Sequence, residues 1–145
     1  MAGNQYKLDN LVAIIDRNRL QISGTTEEVM SLESMRDRWT AFGWDVLEMN
    51  GDEMEGISSG LSILLIIRIK SLNLLISHTT KGKGVSYMEG IAKWHHGVPT
   101  AEQYEEAVRE ISERIEKLEK ETMANNIIAC RKTLYRYIAG VGSSG

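Results

Sequence analysis

Polar groups directly follow an apolar run near the start of the chain. Residues 11–15 are apolar, and Asp16, Asn18 and Leu20 come next. An Asn amide oxygen and a nearby backbone carbonyl are hard oxygen ligands, which suit Mg²⁺ or Ca²⁺ better than a soft metal. Asp and Asn also form ordinary turns after strands. The residues alone therefore leave two interpretations open, a metal-binding turn and a plain turn.

Two further segments carry groups that could bind an anion or transfer a proton. Residues 78–84 (HTTKGKG) combine two lysines with two glycines, which could bind phosphate. Their spacing differs from that of a P-loop or a dinucleotide fingerprint, and a mobile, solvated loop without a ligand is the alternative.

In residues 94–99 (WHHGVP), His95 and His96 are adjacent. Adjacent side chains of an extended segment point apart, and no cysteine or third histidine lies at zinc spacing. We expect one functional histidine there.

The elements that position these groups alternate between strand and helix. They are a strand at 11–15, a helix at 31–43 with Ser31 as its cap, a strand at 44–49, a helix at 52–69 and a strand at 72–77. This order predicts an α/β fold, with an open, mainly parallel sheet flanked by helices. The continuous apolar run at 11–15 indicates a strand covered on both faces. Ligands bind beyond the carboxyl ends of such strands, so Asp16, Asn18 and His78 should gather at one rim.

A long helix is predicted after residue 100. Its apolar stripe and its i,i+4 charge pairs favour a helix docked on the sheet or on a partner chain. The stripe consists of Tyr104, Val108, Ile111, Ile115 and Leu118, and the pairs are Glu110–Arg114, Glu113–Lys117 and Glu116–Lys120. The predicted organisation is a partial cofactor-binding domain at 1–99, a helical segment at 100–139 and a flexible tail at 140–145.

Composition limits the class of partner. The 145 residues are 42% hydrophobic with a formal charge of -3, which fits one soluble globular domain without a basic surface for nucleic acid or anionic lipid. The apolar run at 61–67 is much shorter than the ~20 residues of a membrane span. With one cysteine and no signal peptide at its start, the chain is predicted to be cytoplasmic.

Three long blocks occur in order along the chain. They are residues 6–30 (YKLDNLVAIIDRNRLQISGTTEEVM), 41–51 (AFGWDVLEMNG) and 77–107 (SHTTKGKGVSYMEGIAKWHHGVPTAEQYEEA). Together they resemble the transketolase family, in particular its separate N-terminal subunit. The resemblance implies thiamine diphosphate bound through Mg²⁺ (or Ca²⁺), and transfer of a two-carbon ketol unit between ketose and aldose sugar phosphates in the pentose phosphate pathway.

The resemblance also implies roles for particular residues. The side chain of Asn18 and the backbone carbonyl of Leu20 match the metal ligands. His96 matches a residue that contacts both the cofactor diphosphate and the reacting part of the substrate, which makes it a cofactor-binding and a catalytic residue. Lys81 and Gly82 lie in the block that matches a mobile loop next to the cofactor.

Several family features are missing from this sequence. The "GDG" and "GHPGG"-like segments, which the family carries upstream of the "DRN" block, do not occur, and neither does a pyrimidine-binding domain. The chain therefore resembles the second half of a diphosphate-binding module, and we expect it to be incomplete and inactive alone. It would need a complementary N-terminal half and a pyrimidine-binding C-terminal subunit or domain, in an oligomer. Residues 62–72 replace an amphipathic helix and should expose apolar surface.

Two alternatives remain open at this point. In the first, the chain is a non-enzymatic, truncated or degenerate fragment that acts only as a folding or association module. In the second, it is a component similar to the related deoxyxylulose-phosphate synthase, which would take pyruvate rather than a ketose phosphate as donor.

Overall fold

The computed structural model describes residues 1–66 and 71–141. The elements in chain order are α1 (Ala2–Gln5), β1 (Val12–Arg17), β2 (Leu20–Gln21), β3 (Gly24–Thr25), α2 (Thr26–Val29), α3 (Met35–Ala41), β4 (Asp45–Asn50), α4 (Met54–Ile66), β5 (Asn73–His78), a 3₁₀ helix (Ala92–His95) and α5 (Ala101–Val141). Strands and helices alternate through β5, as the sequence predicts.

The main sheet is parallel, with strand order β1-β5-β4. The register pairs Asp16 with Ser77 and Asn50 with His78, so the carboxyl ends of all three strands meet at one rim. The central strand, β5, is buried along nearly its whole length, and Leu74 and Leu75 have no exposed surface. The predicted open α/β sheet is confirmed, and a small antiparallel hairpin, β2-β3, follows β1.

Helix α3 lies on the face of the sheet that holds the main core. Met35 and Trp39 pack against a cluster that includes Trp44 and Leu74. The predicted N-cap, Ser31, is wrong. Ser34 caps α3, because its hydroxyl accepts a hydrogen bond from the Asp37 amide at 3.3 Å, whereas the Ser31 hydroxyl donates to Glu27 at 2.5 Å.

The opposite face is covered only in part. Helix α4 packs on β4 and β5, where Leu64 is buried. On β1, however, Val12 is 37% exposed and Ile14 is 56% exposed. The prediction that the first strand is covered on both faces is therefore wrong. Strand β1 is an edge strand, and among the described residues α4 does not cover its outer face.

Helix α4 exposes part of its apolar surface. Within the described part of 62–72, Ile63 is exposed, whereas Leu64 and Leu72 are buried, so the predicted apolar exposure is confirmed at Ile63 alone. The predicted end of this helix, at residues 67–69, lies outside the described residues.

The chain divides into two compact units, and the second begins at Pro99. Thr100 and Gln103 form a capping box at the start of α5, with Gln103 N to Thr100 Oγ1 at 3.3 Å and Thr100 N to Gln103 Oε1 at 3.0 Å. The predicted Glu116–Lys120 pair forms at 3.7 Å, whereas Lys117 pairs with Glu121 at 4.0 Å.

The predicted apolar stripe of α5 is exposed from Tyr104 to Leu118. Whether it docks on a sheet or on another chain stays a prediction, as does the three-part domain division, whose tail falls mostly outside the described residues. No helix in the described part of the chain is both long enough and apolar enough to span a membrane.

Candidate functional site

A tight turn at the end of β1 holds the first pair of predicted ligands. The Asn18 side-chain oxygen accepts a hydrogen bond from the Leu20 amide at 3.0 Å, which forms an Asx-turn. Arg19, between them, has a φ of 61°, in the left-handed region. Asn18 and Leu20 are half-buried. The turn therefore brings the Asn18 amide oxygen next to the Leu20 backbone.

The β2-β3 hairpin determines where the Leu20 carbonyl points. Thr26 N donates to Arg19 O at 2.9 Å, and Leu20 pairs with Thr25 in the next position of the ladder. Opposed residues in an antiparallel pair alternate between hydrogen-bonded and non-hydrogen-bonded. Leu20 is thus in a non-hydrogen-bonded position, so its carbonyl points away from β3. The Leu20 amide also points away from β3 and donates to the Asn18 side-chain oxygen. Both predicted ligand oxygens, of Asn18 and of Leu20, therefore lie on the side of β2 that faces away from β3.

The histidine segment lies beside this hairpin. The 3₁₀ helix, Ala92–His95, contacts β2, and His96 follows it directly. Trp94 anchors the segment, since its indole N–H donates to the Tyr87 carbonyl at 3.0 Å. The His96 side chain is exposed and meets the His95 ring edge-on, with 4.6 Å between ring centroids. His96 is therefore exposed, directly after the 3₁₀ helix that contacts β2.

The lysine-glycine segment forms a folded loop held by backbone and side-chain hydrogen bonds. Gly90 N donates to Lys81 O at 2.9 Å, and Gly84 N donates to the Glu89 carboxylate at 2.9 Å. Gly82 has a φ of 75°, and a Cβ there would overlap Met88. Glycine is required at this position both by the backbone conformation and by the close approach of Met88.

Thr79 and Thr80 join this loop to both edge strands. The Thr79 hydroxyl donates to the Asp16 carboxylate, and the Thr80 amide donates to Asp52 at 2.9 Å. That amide hydrogen bond lowers the pKa of Asp52. The predicted rim thus exists, with Asp16 and Asn18 at the end of β1 and His78 at the end of β5.

His78 takes part in a different set of contacts at this rim. Its Nε2 lies 2.7 Å from the Glu48 carboxylate, which also accepts from Arg36 at 2.7 Å. The hydrogen bond with His78, followed by the one from Arg36, lowers the pKa of Glu48. His78 therefore faces β4 and not the Asn18 turn.

Sequence reasoning missed the most connected side chain near the site, Arg17. It is 4% exposed, and its guanidinium contacts Glu27 at 3.0 Å, Glu33 at 2.7 Å and the Thr26 hydroxyl at 2.9 Å. One signal was available. The period of two in a strand places Arg17 on the same face as Ala13 and Ile15, which pack against the core.

The two oxygens that the sequence predicts as metal ligands are neutral. They are the Asn18 amide oxygen and the Leu20 carbonyl, and oxygens of this kind suit Mg²⁺ or Ca²⁺. Among residues 1–66 and 71–141, no cluster of three or more His, Cys, Asp or Glu side chains could hold a metal.

Comparisons with known proteins point in one direction. Residues 1–116 match the family model described as "Transketolase, thiamine diphosphate binding domain". The chain is 86% identical over 121 residues to a subunit of the apulose-4-phosphate transketolase of Phocaeicola vulgatus, covering 83% of this chain and 43% of that protein. It is 37% identical over 113 residues to the subunit of the same name in Actinobacillus succinogenes, covering 78% of this chain and 40% of that protein.

The fold comparison agrees. The structure of transketolase from Campylobacter jejuni matches with a TM-score of 0.65 at 29% identity, covering 77% of this chain and 17% of that chain. The chain thus spans only about two fifths of the length of the curated relatives named above.

Proposed function

Because the chain belongs to the thiamine diphosphate-binding domain family of transketolases, we propose that it forms part of one subunit of a transketolase that acts on apulose 4-phosphate. The observation that carries this proposal is the 86% identity to a subunit of an enzyme with that name. The reaction class is transfer of a two-carbon ketol unit between a ketose phosphate and an aldose phosphate. Since the relative is named as one subunit of its enzyme, a partner that completes the enzyme is part of the proposal.

The described residues fit the proposed metal in chemical type. Asn18 would offer its amide oxygen and Leu20 its carbonyl oxygen to Mg²⁺, and the 3.0 Å bond from the Leu20 amide fixes the Asn18 side chain. Because Mg²⁺ takes few protein oxygens when it also binds phosphates, two neutral ligands from this chain suit it. Phosphate oxygens of the cofactor, together with oxygens from the rest of the subunit, would fill the remaining positions.

Two other segments would contact the diphosphate and the substrate. The exposed imidazole of His96 can donate a hydrogen bond to a phosphate oxygen or to the substrate. Lys81 and Gly82 start a folded loop that is anchored at the same rim, so the Lys81 ammonium can offset phosphate charge. Thiamine diphosphate, when bound, supplies the carbanion chemistry of ketol transfer, and these residues hold and orient it.

A chimeric subunit tests the proposal. Residues 1–116 of this chain replace the corresponding segment of the Phocaeicola vulgatus relative, and the chimera is combined with the partner subunit of that enzyme. We expect ketol transfer from apulose 4-phosphate that requires thiamine diphosphate and Mg²⁺. In the chimera, Asn18→Ala should lower kcat/KM by at least roughly 100-fold, which is the upper range for losing an interaction that tunes a metal site.

Asn50→Ala is the matched control, since Asn50 forms the same kind of turn at the end of β4. It should change kcat/KM by no more than about twofold after correction for the folded fraction. A folded chimera without activity would contradict the proposal. Activity with pyruvate as donor, and none with apulose 4-phosphate, would favour the synthase alternative instead.

A further inference from the structure

The structure assigns a second task to the end of β1: we propose that Arg17 is a positioning residue, whose buried guanidinium clamps the segment 26–33 and thereby sets the Asn18–Leu20 turn for metal binding. The inference rests on the proposed function, because it concerns the same two ligand oxygens. Arg17 itself does not touch the metal or the substrate in this account.

The contacts of Arg17 connect three parts of the chain. Its Nη1 donates to the Thr26 hydroxyl at 2.9 Å, and its Nη2 donates to Glu27 at 3.0 Å and Glu33 at 2.7 Å. The two carboxylates lie six residues apart on the segment after the hairpin, so one side chain fixes both ends of that segment to β1.

Thr26 passes this constraint to the ligand turn. Its amide donates to Arg19 O at 2.9 Å, while its hydroxyl accepts from Arg17. Arg19 is the residue with positive φ between the two ligands. Thr26 therefore holds the Arg19 peptide, and the orientation of the next carbonyl, that of Leu20, depends on it.

Arg36 shows that an ion pair alone does not create such a clamp. Arg36 also contacts a carboxylate at 2.7 Å, in Glu48, but its side chain is 48% exposed, compared with 4% for Arg17. Charge-assisted hydrogen bonds contribute more when water is excluded, and long exposed side chains contribute little order. A guanidinium also matches two carboxylates and a hydroxyl in one plane, which a lysine ammonium does not.

Amide hydrogen exchange of the metal-free chain tests the clamp. In Arg17→Met, which keeps a long apolar stem, the Thr26 and Leu20 amides should exchange at least roughly tenfold faster, as expected for a lost hydrogen bond to a charged group. The Asn73 amide, which donates to Leu11 O within the sheet, should exchange as in the wild type. Arg36→Met is the matched control and should leave all three rates unchanged.

Mn²⁺ binding by the chimeric subunit, whose other segments supply the remaining ligands, tests the link to the metal. Paramagnetic broadening of the Leu20 amide should need roughly tenfold more Mn²⁺ in Arg17→Met, and Arg17→Lys should recover only part of the loss, whereas a purely structural role would lower stability without changing Mn²⁺ affinity. If Arg17→Met does not fold, Glu33→Gln provides the same test, with a smaller change in the same direction.

Two results would overturn the proposal: unchanged exchange at Thr26 in Arg17→Met, or faster exchange with unchanged Mn²⁺ affinity. A chimeric subunit with wild-type residues 1–116 that shows the clamp by exchange but no Mn²⁺ broadening would instead contradict the proposed function, so the two failures are distinguishable.

Discussion

Two turns with the same side-chain hydrogen bond close the two edge strands of the sheet. Asn18 ends β1 and Asn50 ends β4, and each side-chain oxygen accepts a hydrogen bond from the amide two residues later, at 3.0 Å in both cases. This hydrogen bond is common to both turns.

The residues that follow each asparagine separate the two turns. After Asn50, the Gly51 amide donates to His78 O at 2.8 Å, and the Asp52 carboxylate accepts from Thr80. This turn is used to hold the rim together. After Asn18, the chain leaves the sheet, and the Leu20 carbonyl points away from its hairpin partner. The Asn50 turn is thus tied to the sheet, and we propose that the Asn18 turn, after which the chain leaves the sheet, is the one that receives a ligand.

The largest expected effect is at Gly51. A Cβ there would collide with the Ser77 hydroxyl and the Thr79 methyl group. We expect Gly51→Ala to lower the free energy of unfolding by about 1–3 kcal/mol, as for other overpacked sites. Urea unfolding measures this change.

Gly24→Ala, in the hairpin after Asn18, is the control, because its nearest neighbour would be at an ordinary 3.4 Å. It should stay within about 0.5 kcal/mol of the wild type. Equal losses in the two variants would show that the turns do not differ in packing.

Acid should lower the stability of the fold by protonating Glu33, whose carboxylate contacts Arg17, the residue before Asn18. The hydrogen bond from Arg17 is the largest cause of the lowered pKa of Glu33, while the neighbouring Glu27 carboxylate opposes it. A group whose pKa is lower in the folded state stabilises the fold above its unfolded pKa, about 4.3 for Glu, and this contribution is lost as the pH falls through the folded pKa. Glu33→Gln should therefore flatten the stability profile below about pH 4.3.

The measurement is urea unfolding at several pH values, with Glu53→Gln as the exposed control. If both variants keep the slope of the wild type below that pH, the Arg17–Glu33 contact does not contribute to stability.

The smallest expected effect is at Arg19. Its φ of 61° strains an L side chain, so Arg19→Gly relieves about 1 kcal/mol of strain but adds unfolded-state entropy of similar size. We expect a change between zero and about 1 kcal/mol of stabilisation, with the metal ligands unaffected. Thermal unfolding checks this, and a clear destabilisation would indicate that the Arg19 side chain itself supports the turn.

The sequence predicted the positions of strands and helices better than it predicted which side chains they bury. Strand, helix and rim follow from hydrophobic periodicity, which is local information, so β1, β4 and β5 were found with small shifts at their ends. The exposure of Ile14 depends on how far α4 extends across the sheet, and the burial of Arg17 depends on Glu27 and Glu33 folding back onto it. Both are tertiary facts that a period of two cannot supply.

The candidate site shows the same limit. The roles of Asn18, Leu20 and His96 came from a family resemblance, because residue type alone left Asn18 open between a metal-binding turn and a plain turn. The direction of the Leu20 carbonyl and the contact of the 3₁₀ helix with β2 are tertiary facts that residue type does not supply.

Mn²⁺ titration of the isotope-labelled chimeric subunit, read at individual amides, tests the central claim most directly. Mn²⁺ prefers the same oxygen ligands as Mg²⁺, and its broadening reports even weak binding at short range. We predict broadening at Leu20 that is lost in Asn18→Ala and kept in Asn50→Ala. Equal broadening at both turns, or broadening at Leu20 that survives Asn18→Ala, would contradict the account.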